Sequence, residues 1–285
     1  MHTTVAPAPL AVGAKTQAEL ILEAQGRAQR NFTLGVALSW VALLAFLAFL
    51  FSGIQVSLGG LSFTTIQLDL AFISENGPFI AGGIWQTIGI SALSIVLATV
   101  LALLAALGRL STFPPIYALS TFYVSLIRGT PLFLQVFFFF LALPQLGIVL
   151  SGLWAGTLAL GINYGAYMSE IFRAALSSVR RSQREAALAL GMTPAQMMTR
   201  VVLPQALRFA IPPTGNEFIA MLKDSALVSA TGFVHELMWR ATKVGRAQFH
   251  NLEALLIAAV FYWVVTLIFS ALQGRLEARM ARGVR

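Results

Sequence analysis

The feature that most limits what this chain can fold into is a series of long apolar stretches with few charges. The longest, residues 129–169, contains no Asp, Glu, Lys or Arg. Charged residues make up 11% of the 285 residues, against about 25% in a soluble globular domain, and the mean hydropathy is +0.79. An open sheet is excluded because its edges find no hydrogen-bond partners in lipid. The sequence therefore predicts an all-α integral membrane protein.

Six segments are long and apolar enough to be predicted transmembrane helices, since a helix needs about 20 mostly apolar residues to cross a bilayer. The predicted spans are 32–53, 83–107, 116–143, 153–172, 213–233 and 254–273. Turn residues at 144–147 and 151–152 separate the third span from the fourth. The first apolar run begins only after a charged stretch, which is not the pattern of a cleaved signal peptide, so we expect this span to be retained.

The uneven distribution of Lys and Arg among the connecting segments predicts the orientation. With the N-terminus inside, segments 54–82 and 144–152 lie outside, and neither contains Lys or Arg. Residues 1–31 are then a cytoplasmic N-terminal segment, residues 54–82 form an extracytoplasmic loop, and the C-terminus is cytoplasmic. Segment 234–253 is an exception because it holds three basic residues. It is either an amphipathic surface helix or a sign that the fifth span does not fully cross.

The composition excludes several kinds of functional site. The chain has no cysteine, so it has no disulfide, thiolate metal site or cysteine nucleophile. Its histidines are too scattered to predict a metal site, and it lacks the Gly-x-x-x-x-Gly-Lys-Ser/Thr loop that binds nucleotide phosphates. We therefore expect no metal and no cofactor on this chain. No internal repeat is found, so a transporter built from it needs a second copy or a paralogue.

The longest inner loop, residues 174–208, follows the fourth predicted span. Ser182 and Glu185 fit a capping box that starts a short helix of good helix-forming residues. Gly191 follows this helix and predicts its end.

A second short helix is predicted directly after this glycine. Thr193 and Gln196 fit another capping box, with Pro194 at the favoured first helical position. Met197 and Met198 then begin an apolar face, and methionine surfaces adapt to binding partners.

The same loop carries a spaced motif over 20 positions: Glu-Ala-Ala, three residues, Gly, nine residues, Val, any residue, then Leu-Pro. Its residues are Glu185, Ala186, Ala187, Gly191, Val201, Leu203 and Pro204. The motif resembles the signature loop of the membrane subunits of ABC importers, in which Ile is usual at the position of Val201. The resemblance implies that the methionine-bearing helix after Gly191 is a coupling helix, which docks in a cleft of a cytoplasmic ATPase. ATP and Mg are then bound by that partner.

Four further segments resemble permeases of polar amino-acid importers of the histidine and glutamine type: residues 128–132, 166–173, 203–206 and 223–227. Ser182 departs from this pattern, in which Gly is common. The resemblance covers about residues 83–280 and implies a type I ABC-importer transmembrane domain of five helices, to which span 32–53 adds a sixth.

The resemblance also implies partners and a location. The expected partners are a dimer of ABC ATPases, a second permease copy or paralogue, and an extracytoplasmic substrate-binding protein that delivers a polar amino acid. The expected location is the bacterial cytoplasmic (inner) membrane, and no nucleic acid is expected to bind.

Charged and polar residues inside the predicted spans are candidates for a translocation pathway, because buried charges in membrane helices normally face partners or water. The candidates are Arg128, Asn216, Glu217, Lys223 and Asp224. Glu217 could bind a substrate ammonium group and Lys223 a carboxylate; alternatively, the group forms a neutral polar seam between helices. Arg128 either shapes the pathway or satisfies carbonyl groups at a helix break beside Gly129 and Pro131.

Two local features of the spans are also expected. The Pro-Pro-Thr-Gly sequence at 212–215 predicts a break in the fifth span. Glu170 and Arg173 are three residues apart, so they are expected to form an ion pair on one helix face.

Two other functions fit parts of the sequence. A stand-alone secondary carrier or channel for a small polar solute would explain the charges in the spans but not the capped loop. An intramembrane serine protease would use Gly89 and Ser91, but neither His235 nor His250 lies well inside a span to act as its base.

Overall fold

The computed structural model describes residues 17–58 and 61–281. Its long apolar helices confirm the predicted all-α membrane fold. Of the predicted cytoplasmic segment 1–31, residues 1–16 lie outside the described residues. Residues up to 68 and residues from 69 onward form two compact units.

The first unit begins with α1, a helix of 34 residues over Gln17–Leu50. At 1.5 Å per residue it is about 50 Å long, whereas the hydrocarbon core of a bilayer is about 30 Å thick. The predicted span 32–53 therefore lies in a longer helix up to Leu50, and its last three residues follow the end of this helix. Gly53, with φ of +69°, lies between α1 and the first strand. This strand, β1 (Gln55–Leu58), pairs antiparallel with β2 (Leu61–Thr64).

Every secondary-structure element in the described residues of the second unit is a helix, and short turns join these helices. Its α-helices are α2 (Leu70–Ala81), α3 (Ile84–Gly108), α4 (Pro114–Arg128), α5 (Leu132–Phe137), α6 (Gly152–Ser178), α7 (Arg181–Ala189), α8 (Pro194–Met197), α9 (Leu203–Asp224), α10 (Leu237–Gln248) and α11 (Asn251–Ala281). Single π turns lie at Phe138–Ala142 and Met198–Val202, and 3₁₀ segments lie at Leu143–Leu146 and Ser225–Thr231.

The number of membrane-crossing segments agrees with the prediction of about six. Among the described residues, the stretches long and apolar enough to cross are Leu20–Leu50, Leu70–Gly108 and Asn251–Met280. The bent pair that contains α4 and α5 supplies a fourth. The helices α6 and α9, with 27 and 22 residues, are long enough to cross but less apolar, since polar residues interrupt both.

The third predicted span, 116–143, is wrong as a single continuous helix. α4 ends at Arg128 and helix resumes at Leu132, with an angle of 104° between the two parts. Pro131 has no backbone N–H to donate and disfavours helical geometry in the residue before it. The helix therefore breaks where the chain reads Gly-Thr-Pro.

The fifth predicted span, 213–233, has different bounds. α9 starts earlier, at Leu203, and ends at Asp224, where it passes into the 3₁₀ segment. The break predicted at 212–215 is wrong, because α9 continues through both of its prolines.

A side chain from α11 supports α9 at these prolines. Gln273 donates a hydrogen bond of 3.0 Å from Nε2 to the carbonyl oxygen of Pro212. The carbonyl groups that lose their helical donors at these prolines are those of Arg208 and Phe209, four residues earlier. The Gln273 bond is therefore an additional contact between α11 and α9.

Segment 234–253 contains the amphipathic helix α10. Leu237 is fully buried in a cluster shared with α2 and α11. Glu236 caps α10 by accepting a hydrogen bond of 2.7 Å from the Trp239 amide, and it also accepts one from the hydroxyl of Tyr262. Burial raises the pKa of the Glu236 carboxyl above its usual value.

The main core lies between α3 and α6, where small residues allow the two helices to approach closely. A Cβ atom added to Gly165 of α6 would lie 2.9 Å from Cβ of Leu101 and 3.3 Å from the Ala98 carbonyl oxygen on α3. Neither atom can move without shifting α3.

We expect Gly165→Ala to destabilise the protein by about 1–3 kcal/mol, because the methyl group overpacks this contact. Gly89→Ala on α3 is the matched control, since a Cβ there meets nothing within 4 Å. It should be neutral or stabilise by about 0.5–1 kcal/mol. Thermal unfolding in detergent measures both, and equal unfolding temperatures would contradict the close packing.

Candidate functional site

A polar cavity of about 450 Å³ lies where the break between α4 and α5 faces α6 and α9. Its lining residues are Arg128, Gly129, Thr130, Pro131, Leu132, Asn163, Tyr164, Tyr167, Glu217 and Asp224. The cavity thus combines a guanidinium, two carboxylates, an amide and two phenols within a helical core. Charged groups placed in this way in a membrane protein mark a solute pathway or a polar contact between helices.

The two carboxylates lie on one side of α9. Glu217 and Asp224 are seven residues apart, which is close to two helical turns, so their side chains point in similar directions. Tyr164 of α6 donates a hydrogen bond of 2.8 Å from its hydroxyl to Oδ2 of Asp224. This bond holds Asp224 in the cavity lining through one of its two oxygens.

Arg128 enters the cavity from the last turn of α4. Its guanidinium carbon lies 5.1 Å from the centre of the Tyr167 ring, and its Nη1 lies 3.4 Å from Oε1 of Glu170. The side chain remains 43% exposed. Arg128 therefore retains donors that can reach an anion in the cavity.

Glu170 is shared by three arginines from three helices. Arg109, the residue that follows α3, bonds to Oε1 of Glu170, and Arg173 of α6 bonds to Oε2 at 2.9 Å. Arg128 is the third and makes the longest contact of the three. One carboxylate cannot neutralise three guanidiniums, so this cluster keeps an excess of positive charge beside the cavity. The expected Glu170–Arg173 ion pair is present as part of this larger cluster.

The remaining pathway candidates lie elsewhere. Asn216 faces α11, where its Oδ1 accepts a hydrogen bond of 3.0 Å from Gln273. Lys223 is exposed and lies outside the cavity lining. The structure thus brings together Arg128, Glu217 and Asp224, and it makes Arg128 the cation of the cavity instead of Lys223.

The sequence reading missed Asn163, Tyr164 and Tyr167 on α6, and it also missed Gln135 on α5. A signal for the three α6 residues was present: positions 163, 164 and 167 are polar and share a helical face within an otherwise apolar run. Gln135 is buried and bonds to both Thr130 and Asn163.

The serine that suggested a protease has structural partners. Ser91 is fully buried and donates to the carbonyl oxygen of Thr87 at 2.8 Å, with the Met221 carbonyl 3.4 Å away. These contacts are those of a packing serine in a membrane helix.

Residues 181–202, which carry most of the predicted coupling motif and are called the coupling segment below, contain the predicted glycine stop. Gly191 has φ of +81° and donates to the Leu188 carbonyl, and Met192 donates to the Ala187 carbonyl at 3.1 Å. This pair of bonds closes the end of α7 as a Schellman motif, which needs a left-handed residue. The chain therefore turns sharply between α7 and α8.

The second predicted capping box is confirmed and the first is wrong. Thr193 and Gln196 exchange side chain–backbone hydrogen bonds of 3.0 and 3.2 Å at the start of α8. α7 instead begins after Arg180, without a side-chain cap, and Glu185 pairs with Arg181 at 2.7 Å. Arg181 and Glu185 are one helical turn apart, and their ion pair uses the Glu185 carboxylate that the capping box would require.

Apolar side chains of the coupling segment divide into an inner and an outer set. Met197 and Met198, predicted to form an adaptable surface, are half-buried against the main core. Leu190, just before the turn glycine, is 81% exposed, and Leu188 is also exposed. The outward apolar surface of this segment is therefore the end of α7.

Residues 94–282 match the family model described as the inner membrane component of binding-protein-dependent transport systems. This match covers well over half of the chain. The chain belongs to this family. The family is the membrane component of such systems and not their ATPase, and its members are multi-pass membrane proteins, in agreement with the helices described above.

Individual relatives resemble the same part of the chain. It is 39% identical over 208 residues to the L-cystine transport system permease protein TcyB of Bacillus subtilis (strain 168), covering 73% of this chain and 88% of TcyB. It is 37% identical over 216 residues to the arginine transport system permease protein ArtQ of the same organism, covering 75% and 98%. A crystal structure of an amino acid ABC transporter with histidines is 37% identical, with a TM-score of 0.70, and the match covers 75% of this chain and 99% of that one.

We expect Glu170→Gln to destabilise the protein by about 1–2 kcal/mol, because it leaves three clustered guanidiniums without their carboxylate. Glu185→Gln is the matched control, since its partner Arg181 is 91% exposed, and it should cost about 0.5 kcal/mol or less. Thermal unfolding in detergent at low salt compares the two. A smaller effect for Glu170→Gln than for the control would rule out a structural role for the cluster.

Proposed function

We propose that this chain is the permease subunit of an ATP-driven ABC importer and that a polar amino acid crosses the membrane through the cavity. Membership of the family and the names of the similar permeases support amino-acid transport. The observation that carries the cavity assignment is the separation of charge between the helices that line it: α4 supplies one guanidinium and α9 supplies two carboxylates.

An α-amino acid is a zwitterion that matches this separation. Arg128 has free donors for the α-carboxylate, and a guanidinium binds a carboxylate through paired hydrogen bonds. Glu217 and Asp224 accept from the α-ammonium group. Since two carboxylates face one cation, a side chain that carries a further positive charge or hydrogen-bond donors fits the cavity best.

The partners follow from the family. A permease of this family works with an ATPase and a substrate-binding protein. We assign to this system two permease subunits, identical or paralogous, around a central pathway, and two ATPase subunits that bind ATP and Mg. The orientation has both termini in the cytoplasm, as the distribution of Lys and Arg indicates.

The coupling segment and the cavity are joined by one helix. α9 begins at Leu203, directly after the π turn of the coupling segment, and it carries Glu217 and Asp224 in its second half. An ATPase that moves the exposed end of α7 and the turn at Gly191 therefore displaces α9, and with it the two carboxylates. A stand-alone carrier or channel, which has no ATPase partner, does not require this connection between the coupling segment and the cavity.

We expect Glu217→Gln and Asp224→Asn each to reduce uptake about 10-fold or more, because each removes a charged partner of the substrate ammonium group. Lys223→Met is the control, since Lys223 is exposed outside the cavity lining. Uptake of labelled arginine, glutamine and cystine into proteoliposomes, per assembled transporter, measures the effect. Normal uptake by both acidic variants would place the pathway elsewhere.

We expect Gly191→Asp to weaken association with the ATPase and to abolish uptake. Gly147→Asp is a closely matched control, because both glycines have φ of +81° and neither Cβ position has a neighbour within 4 Å. The two substitutions therefore impose the same backbone strain, and only the first changes the coupling segment. Co-purification of the ATPase with each variant is the measurement. Equal recovery of the ATPase with both variants would contradict the coupling assignment.

A further inference from the structure

Gln135 of α5 links the helix break to the cavity wall on α6. We propose that Gln135 is a positioning residue: it orients the amide of Asn163 so that the oxygen of this amide faces the substrate's ammonium group. This inference rests on the proposed passage of an amino acid through the cavity.

On one side, Gln135 satisfies the backbone at the break. Its Nε2 donates to the Ile127 carbonyl at 2.9 Å, and the Thr130 carbonyl lies 3.2 Å away. The same nitrogen lies 2.9 Å from Oγ1 of Thr130. The two N–H groups of Gln135 are therefore both used by acceptors at the break, so the nitrogen must point there and the oxygen must point the other way.

On the other side, Gln135 determines the orientation of Asn163. Its Oε1 accepts a hydrogen bond of 3.1 Å from Nδ2 of Asn163. Both side chains are buried, each 6% exposed, so neither amide can rotate without leaving a polar atom unsatisfied. The Nδ2 of Asn163 is therefore held towards α5.

This orientation decides which group Asn163 presents to the cavity. Its Oδ1 is used by none of the hydrogen bonds between described residues, and Asn163 is part of the cavity lining. The hydroxyl of Thr130 is already bonded, since it donates to the Leu126 carbonyl at 3.0 Å. The cavity wall beside Arg128 thus offers an acceptor from Asn163 and leaves Arg128 as its charged donor.

The experiment is a double-mutant cycle on the complete transporter in proteoliposomes, with its ATPase and substrate-binding protein. It compares Gln135→Leu, Asn163→Leu and the double variant, and it measures labelled arginine, glutamine or cystine transported per ATP hydrolysed. We expect each single variant to lower this ratio about 10-fold. The double variant should also lower it about 10-fold, because Gln135 acts through Asn163.

Other outcomes overturn the inference. An unchanged ratio in Gln135→Leu does so, and so does a double variant that multiplies the two losses to about 100-fold, since Gln135 would then act independently of Asn163. Gln248→Leu is the matched control, because Gln248 also bonds to an asparagine side chain, with its Nε2 3.5 Å from Oδ1 of Asn76, and lies outside the cavity lining and the coupling segment. If Gln135→Leu fails to assemble, Gln135→Met keeps the length of the side chain and completes the same cycle.

The same assay separates this inference from the proposed function. If Glu217→Gln lowers the ratio and Gln135→Leu does not, the cavity is the pathway and Gln135 has no positioning role. If Glu217→Gln and Asp224→Asn both leave the ratio unchanged, the cavity assignment itself fails.

Discussion

A backbone that bends inside a membrane must find hydrogen-bond partners for the polar groups released at the bend, and this requirement governs the break between α4 and α5. Pro131 supplies no amide hydrogen there, and the chain turns by 104°. Gln135 meets the requirement with hydrogen bonds to the carbonyl oxygens of Ile127 and Thr130. The break forms part of the cavity wall, because Gly129, Thr130 and Pro131 all line the cavity.

The charges around the cavity are arranged by helix ends and helix faces. Arg128 lies in the last turn of α4, where the partial negative charge of the helix favours a cation. Glu170 of α6 forms ion pairs with Arg128, with Arg109 after α3 and with Arg173 of α6. One carboxylate therefore connects α3, α4 and α6. The two carboxylates of the cavity come from another helix, α9. A zwitterion is attracted at both ends, whereas a simple ion meets an unfavourable group at one of them.

The helix α9 connects the proposed coupling segment to the cavity. Its 22 residues correspond to about 33 Å, and it continues through Pro212 and Pro213 without a break. A continuous helix transmits a displacement along its length, whereas a broken one would absorb part of it. The sharp turn at Gly191 lies between α7 and this helix.

The sequence by itself determined the class of protein, the approximate number of membrane-crossing helices and the coupling motif. These are local properties: hydropathy over about 20 residues, a capping box such as Thr193 with Gln196, and a glycine in the left-handed conformation. Only the tertiary structure decided which polar residues share the cavity. Asn216 and Glu217 are adjacent in sequence, yet Asn216 bonds to α11 and Glu217 lines the cavity. Tyr164 joins Asp224 from another helix for the same reason: the direction in which a side chain points depends on how whole helices pack, and no local pattern encodes that.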